Sequence, residues 1–317
     1  MLNLSEKVKK ATLCMTRQCW EQGMLAQALL ETEDYKRLFL VVEDMVLRQS
    51  ADGRLCNVEN TPAVVDSAFC IEATLFAGKT LGNDKFTAAA EKNIEYLRKD
   101  APRSTDGVLY HIQGTQDVWA DSAAFMPGVL AMGGFPQEGV AKMRAILDRL
   151  FDKNTGLYFH MWDDSTGQYK KKVLWGVGNG WILIGLLRLY LHIPEELSDE
   201  KNWARVEFKR LLDLIIRYRT PANLFHDYLD DSTTFLETEC AEMFAYAMYR
   251  GVVEGLIDKS YLTIADDIRL AVIAKVSDDG FVMDCASSPD FIRPGISVEG
   301  QAHFLMMEHL AKQFDHS

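Results

Sequence analysis

The 317-residue chain is 48% apolar and 25% charged with only 8 prolines, the composition of an ordered protein with a large core and little linker. Its formal charge of −12 excludes a surface built to grip nucleic acid or anionic membrane, since both need clustered Lys and Arg. Six cysteines (Cys14, Cys19, Cys56, Cys70, Cys240 and Cys285) lie far apart without a CxxC pair and read as reduced thiols, neither a zinc site nor a disulfide framework.

The opening MLNLSEKVKKATL lacks the apolar core of a secretory signal. The most apolar stretch, WILIGLLRLYLHI, is too short to span a bilayer and is broken by Arg188. A cytoplasmic location with no membrane partner is the expectation. An amphipathic helix over about 5–15 comes first. Six segments rich in small and apolar residues follow, near 20–30, 66–76, 121–132, 179–190, 237–249 and 299–310, and helices apolar on most of their circumference must be buried on most sides. Between them run amphipathic helices charged on one face, such as DYKRLFLVVEDMVLRQS, NDKFTAAAEKNIEYLRKD, QEGVAKMRAILDRLF and KNWARVEFKRLLDLIIRY. Alternating strand patterns are scarce. Internal repetition of helix pairs means an open solenoid or a closed ring. Because the sixth buried helix ends the chain and a helix precedes the first, twelve helices can close. The expected fold is therefore all-α, a single (α/α)6 toroid spanning residues 1–317.

In such a ring the loops entering the inner helices open on one face. There the sequence places QCWEQG, VVDSAF, DVWADSAAF, LWGVGNGW, FLETECAEMF and SVEGQAHF. Five of the six tryptophans (Trp20, Trp119, Trp162, Trp175 and Trp181) lie at these entrances or in the loops leading to them. Aromatic faces cover the apolar side of a sugar ring while carboxylates and amides take its hydroxyls, which fits a carbohydrate pocket. Asp66 and Asp121 each precede an apolar helix. An isolated Asp there is usually a helix cap, but the apolar settings of this pair would desolvate them and favour the protonated acid of a proton donor. His111 and His160 fall on loops of the same face, whereas His192, His303 and His309 fall within helices and read as structural. The three glycines of WGVGNGW are expected to let backbone approach a ligand. No nucleotide loop, HExxH, CxxC or calcium-loop pattern is present, so neither cofactor nor metal is expected.

These residues resemble the unsaturated uronyl hydrolases of glycoside hydrolase families 105 and 88, most closely the unsaturated rhamnogalacturonyl hydrolases of family 105. The resemblance runs from WEQG at Trp20 through the Asp66 helix, His111, WAD at Asp121, His160, WGVGNGW, Glu237-Thr238 and Gly300-Gln301. It implies the same toroid and a reaction on oligosaccharides whose terminal uronic acid carries a double bond between carbons 4 and 5. In that reaction the vinyl ether is hydrated. Asp121 matches the general acid and base, and Asp66 matches the second carboxylate, which positions substrate and keeps Asp121 in its acid form. His111 and His160 match residues that bind the unsaturated sugar. Trp20 and Trp119 belong to the same motifs, and Trp175, Asn179 and Trp181 would shape the pocket. The partner so implied is a small oligosaccharide.

Two departures stand out. The family motif usually reads WGRGNGW with the arginine toward the substrate, but Val177 stands here, and His303 follows Gln301 where a small or apolar residue is usual. Loss of a planar cation weakens recognition of a carboxylate-bearing sugar. Either another cation compensates, with Arg17 and Arg293 as candidates, or the substrate differs. A glycosidase or epimerase on a neutral sugar and a non-catalytic sugar-binding descendant remain the alternatives.

Overall fold

The structure, a computed structural model, describes residues 3–58, 61–288 and 290–314. Among these residues, twelve α-helices form an (α/α)6 toroid. The inner ring comprises α2 (Cys19–Glu31), α4 (Ile71–Leu81), α6 (Met126–Met132), α8 (Gly176–His192), α10 (Thr238–Val253) and α12 (Val298–Ala311). Each neighbour in that order packs on the next, and α12 packs back against α2 to close the circle. The outer helices are α1 (Leu4–Met15), α3 (Tyr35–Leu47), α5 (Asp84–Glu95), α7 (Pro136–Leu150), α9 (Ser198–Ile216) and α11 (Tyr261–Ile273). Helix α1 lies on α12, so the first and last helices are joined.

Burial follows the sequence pattern. Every residue of α8 from Gly176 to Leu189 is buried, whereas α5 buries one stripe formed by Phe86, Ala89, Ala90, Asn93 and Ile94. Several helix starts are fixed by side chains that accept orphan backbone N–H groups: Asn3 from Glu6 (2.9 Å), Asn83 from Lys85 (3.1 Å) and Ser297 from Gly300 (2.9 Å). Within the ring, Arg188 pairs with Glu72, approaches Glu31 at 3.6 Å and lies over the Phe125 ring at 3.9 Å. The residue that interrupts the apolar run in the sequence thus closes the barrel interior with paired charge. No helix among the described residues is long and apolar enough to cross a membrane.

The expected helix boundaries shift at three places. Asp66 and Asp121 lie in short 3-10 turns, Asp66–Cys70 and Ala120–Ala123, that precede α4 and α6. Helix α6 has only 7 residues, with Pro127 in its first turn, because proline lacks the N–H and clashes with the preceding turn. Helix α8 begins at Gly176 and takes in the glycines expected to approach a ligand. They face α10 and the chain before α8: a Cβ on Gly176 would lie 2.9 Å from Cys240 Sγ, one on Gly180 2.7 Å from Met243 Sδ, and one on Gly178 3.0 Å from the Trp175 ring. They serve helix packing, which the sequence alone cannot distinguish from ligand approach.

Short strands trim the mouth of the ring. β1 (Asp117–Trp119), β2 (Met161–Asp163) and β3 (Gln168–Lys171) form an antiparallel sheet in that order; β4 (Phe225–His226) pairs with β5 (Leu236–Glu237), and β6 (Cys285–Ala286) with β7 (Pro294–Gly295). The first sheet ties the loop before Asp121 to the loop after His160.

One close approach positions the Asp121 turn directly. A Cβ on Gly185 of α8 would lie 2.0 Å from the Ala123 carbonyl oxygen. Gly185→Ala is therefore expected to cost about 1–3 kcal/mol of stability by overpacking, seen as a melting temperature lowered by several degrees. An unchanged melting temperature would contradict the close packing of α8 on this turn.

Candidate active site

The mouth of the ring holds a cavity of about 390 Å³, within the usual range of small-molecule sites. Eight residues expected at the site line it: Trp20, Asp66, His111, Trp119, Asp121, His160, Trp175 and Trp181. Backbone hydrogen bonds fix the two aspartates beside the two histidines. The Val64 N–H donates to the His111 carbonyl (2.8 Å) just before Asp66, and the Ala120 N–H donates to the His160 carbonyl (3.0 Å) just before Asp121. The side chains follow the backbone, with His111 Nε2 3.6 Å from Asp66 Oδ1 and His160 Nε2 3.4 Å from Asp121 Oδ2.

Stacking holds the imidazoles in place. His111 lies flat on Trp119 with centroids 4.2 Å apart, and its Nδ1 meets the Ser122 hydroxyl at 3.0 Å. His160 stacks on Trp175 at 4.3 Å, and the Trp175 indole N–H donates to Asp227 (3.0 Å). Trp20 donates to Glu299 (2.6 Å), and Trp181 meets Phe69 edge-on. These contacts fix the rings in the wall of the cavity. Both nitrogens of His160, Asp121 Oδ2 and Trp119 Nε1 are buried atoms without a hydrogen-bond partner among the described residues. Buried polar atoms of this kind cost stability unless a ligand or water satisfies them.

Electrostatics separates the two aspartates in the opposite sense to the sequence expectation. Burial, reinforced by the negative charges of Asp121 and Glu299, pushes the Asp66 carboxyl up to about 7. Burial also pulls Asp121 upward, but the approach of the His160 ring outweighs it and leaves this carboxyl below its ordinary range. A proton in the free site is therefore held more tightly by Asp66 than by Asp121. Both histidines are shifted down by burial, His111 to about 4, so they are neutral imidazoles.

Asn179 is placed elsewhere. Its side-chain amide donates to the carbonyls of Tyr158 (2.9 Å) and Trp175 (3.0 Å) and accepts from the Tyr158 N–H (3.1 Å), so it clamps the His160 loop to the start of α8 and does not line the cavity. Trp162 also turns away, donating to Asp164 and packing edge-on against Tyr169. Neither candidate cation lines the cavity: Arg17 donates to the Met15 carbonyl, and Arg293 pairs at 3.0 Å with Asp290, itself a lining residue. Val177 does line it, as an apolar wall. His303 is fully buried behind the cavity, 5.2 Å from the Trp181 ring and 4.0 Å from Glu239, and burial lowers it to about 3.

Four ionisable lining residues, Glu239, Glu299, Asp290 and Lys171, escaped the sequence reading. Glu239 and Glu299 sit in the first turns of α10 and α12, inside segments that had been noted, but a first-turn Glu is the ordinary complement of a helix dipole and carries no signal of its own. Burial raises both, Glu299 to about 7. Lys171 lay in the run KKK, which reads as a solvated hairpin end. The one potential metal-ligand group among the described residues is Glu237, Glu239 and Cys285. Glu237 already accepts backbone N–H groups from Cys240 and Ala286, however, and serves as the cap of α10.

Comparison with known proteins agrees with the fold. Residues 2–291 match the profile of Glycosyl Hydrolase Family 88. The chain is 25% identical over 281 residues, 83% of its length and 77% of the relative's, to the unsaturated rhamnogalacturonyl hydrolase YesR of Bacillus subtilis (strain 168). A solved family 105 glycoside hydrolase from C. acetobutylicum superposes with a TM-score of 0.82 at 16% identity, covering 98% of this chain and 99% of that one. The solved unsaturated glucuronyl hydrolase of Bacillus sp. GL1 gives 0.72 at 12% identity, covering 94% and 86%.

The proton on Asp66 has a thermodynamic signature. A carboxyl raised to about 7 on folding contributes fully at low pH, and its contribution declines as pH rises from the unfolded value toward 7. Asp66→Asn removes that dependence. Between about pH 5 and pH 8 the variant should gain about 2–3 kcal/mol relative to the parent in denaturant unfolding. A constant difference would contradict the assignment.

Proposed function

Because the chain belongs to Glycosyl Hydrolase Family 88 and is a glycoside hydrolase, we propose that it removes a terminal 4,5-unsaturated uronic acid from lyase-generated oligosaccharides by hydrating the vinyl ether. The observation that supports this most strongly is the placement of Asp66 beside His111 and of Asp121 beside His160 in a cavity walled by two histidine–tryptophan stacks, with burial raising the proton affinity of Asp66 and His160 lowering that of Asp121. The reaction needs one proton for a carbon and one activated water. A carboxyl pair with separated proton affinities holds one proton and one charge, which meets both needs.

In the complex, the uronate's negative charge beside Asp121 raises that carboxyl's affinity for the shared proton. Asp121 then delivers the proton to carbon 4, the double-bond electrons forming the new C–H bond and leaving an oxocarbenium-like centre at carbon 5. The ionised Asp121 takes a proton from water as its oxygen bonds to carbon 5. The resulting hemiketal opens to the ketone, and the hemiacetal left at carbon 1 collapses to an aldehyde, releasing the neighbouring sugar and a deoxy-keto uronic acid. One water is consumed and no redox change occurs. Neutral His160 and His111 supply ring nitrogens to sugar hydroxyls, and Trp20, Trp119, Trp175 and Trp181 cover the apolar ring faces.

Raised proton affinities also reduce the negative charge of the pocket. Asp66, Glu239 and Glu299 are all shifted upward by burial, so an anionic sugar meets less negative charge than the five lining carboxyls, which include Asp121 and Asp290, would otherwise carry.

The test follows the ultraviolet absorbance of the double bond with unsaturated disaccharides from rhamnogalacturonan, glycosaminoglycan and ulvan digests. The expected result is absorbance loss with at least one digest, a kcat/KM that falls as pH rises through about 7, and a drop of about 10²–10⁴-fold in Asp121→Asn. Release of a saturated sugar from a neutral glycoside with the chromophore untouched would overturn the reading.

A further inference from the structure

The cavity has one basic side chain of lysine or arginine type among its described lining residues, Lys171. It ends β3, opposite Met161 of β2, so the sheet that positions His160 also positions this ammonium. The adjacent lysines are engaged elsewhere: Lys170 pairs with Asp117, and Lys172 lies 5.4 Å from the Phe159 ring. Lys171 is half-buried and makes no ion pair among the described residues. Its ammonium stands 5.8 Å from the Trp175 ring and 5.9 Å from the Tyr228 ring, a loose aromatic frame open toward the cavity. Burial lowers its proton affinity, while the charges of Asp227 and Asp121 act to keep it protonated.

A partly desolvated cation without a carboxylate partner, framed by rings at the rim of a ligand cavity, is an anion receptor in waiting. We propose that Lys171 binds the carboxylate of the sugar seated in this cavity and so sets the preference for a uronate over its uncharged counterpart. This inference rests on the proposed function for the identity of the sugar. It also reconciles that function with Val177: the wall at the start of α8 is apolar, and the positive charge enters from β3 instead. An ammonium is a point charge without a planar fork, so recognition through Lys171 demands a negative charge more than a fixed carboxylate orientation.

The experiment compares an unsaturated uronyl disaccharide with its uronate methyl ester, in the parent, Lys171→Met and Lys171→Arg proteins, with circular dichroism and melting curves confirming folding. The parent should favour the acid over the ester by about tenfold or more in kcat/KM, mainly through KM. In Lys171→Met that preference should collapse toward unity, and Lys171→Arg should keep most of it. A preference unchanged in Lys171→Met would overturn the assignment. If the parent turns over neither compound, the proposed function fails while Lys171 is still tested by calorimetry with glucuronate and methyl glucuronate. Selective binding of the acid, lost in Lys171→Met, supports the receptor, and equal affinities in parent and variant overturn it.

Discussion

Two buried carboxyl groups that share a cavity cannot both remain charged at neutral pH without strong compensation, and the mouth of this ring is arranged around that constraint. The compensation is unequal. Asp121 has His160 at 3.4 Å, whereas Asp66, with His111 at 3.6 Å, is the more deeply buried and feels both Asp121 and Glu299. A difference of environment between two chemically identical side chains therefore decides which holds the proton. The rest of the structure maintains the difference: the strands of the first sheet, the Asn179 clamp, the tight packing of α8 on the Asp121 turn and the two indole stacks each hold one of the four groups in register.

The toroid serves this end by supplying depth. Inner helices that start at one face bring six chain entrances together, and closure through α12 and α2 brings Glu299 beside Trp20, residues 279 positions apart. Arg188 closes the interior below, paired with Glu72 and near Glu31. An open superhelix would leave the same carboxyls hydrated, with ordinary proton affinities and no reason for one to differ from the other.

Much of this was legible in the sequence because the signals were periodic or chemically distinctive. Six apolar helices with charged helices between them can bury their faces in few ways, and Asp66, Asp121, His111, His160 and four tryptophans stood at helix entrances where a ring must converge. What could not be read depended on which way a side chain turns. Asn179 and Trp162 sit in the same segments as true lining residues but face backbone and Asp164 instead. The glycines of WGVGNGW serve a neighbouring helix, and glycine carries no mark of what it faces. Lys171 was hidden among three lysines, distinguished only by a strand register that pattern does not fix. The proton order of the aspartates was misread because apolar flanking sequence is similar for both, while the deciding neighbours, His160 and Glu299, lie far along the chain.

The most direct test of the proton order is a carbon-13 NMR titration of the aspartate carboxyls in the ligand-free protein, with Asp66→Asn and Asp121→Asn used to assign the two signals. The Asp66 carboxyl is expected to titrate near 7 and the Asp121 carboxyl below the ordinary range of aspartate. Titration of Asp121 near 7 with Asp66 ionised throughout would contradict this order.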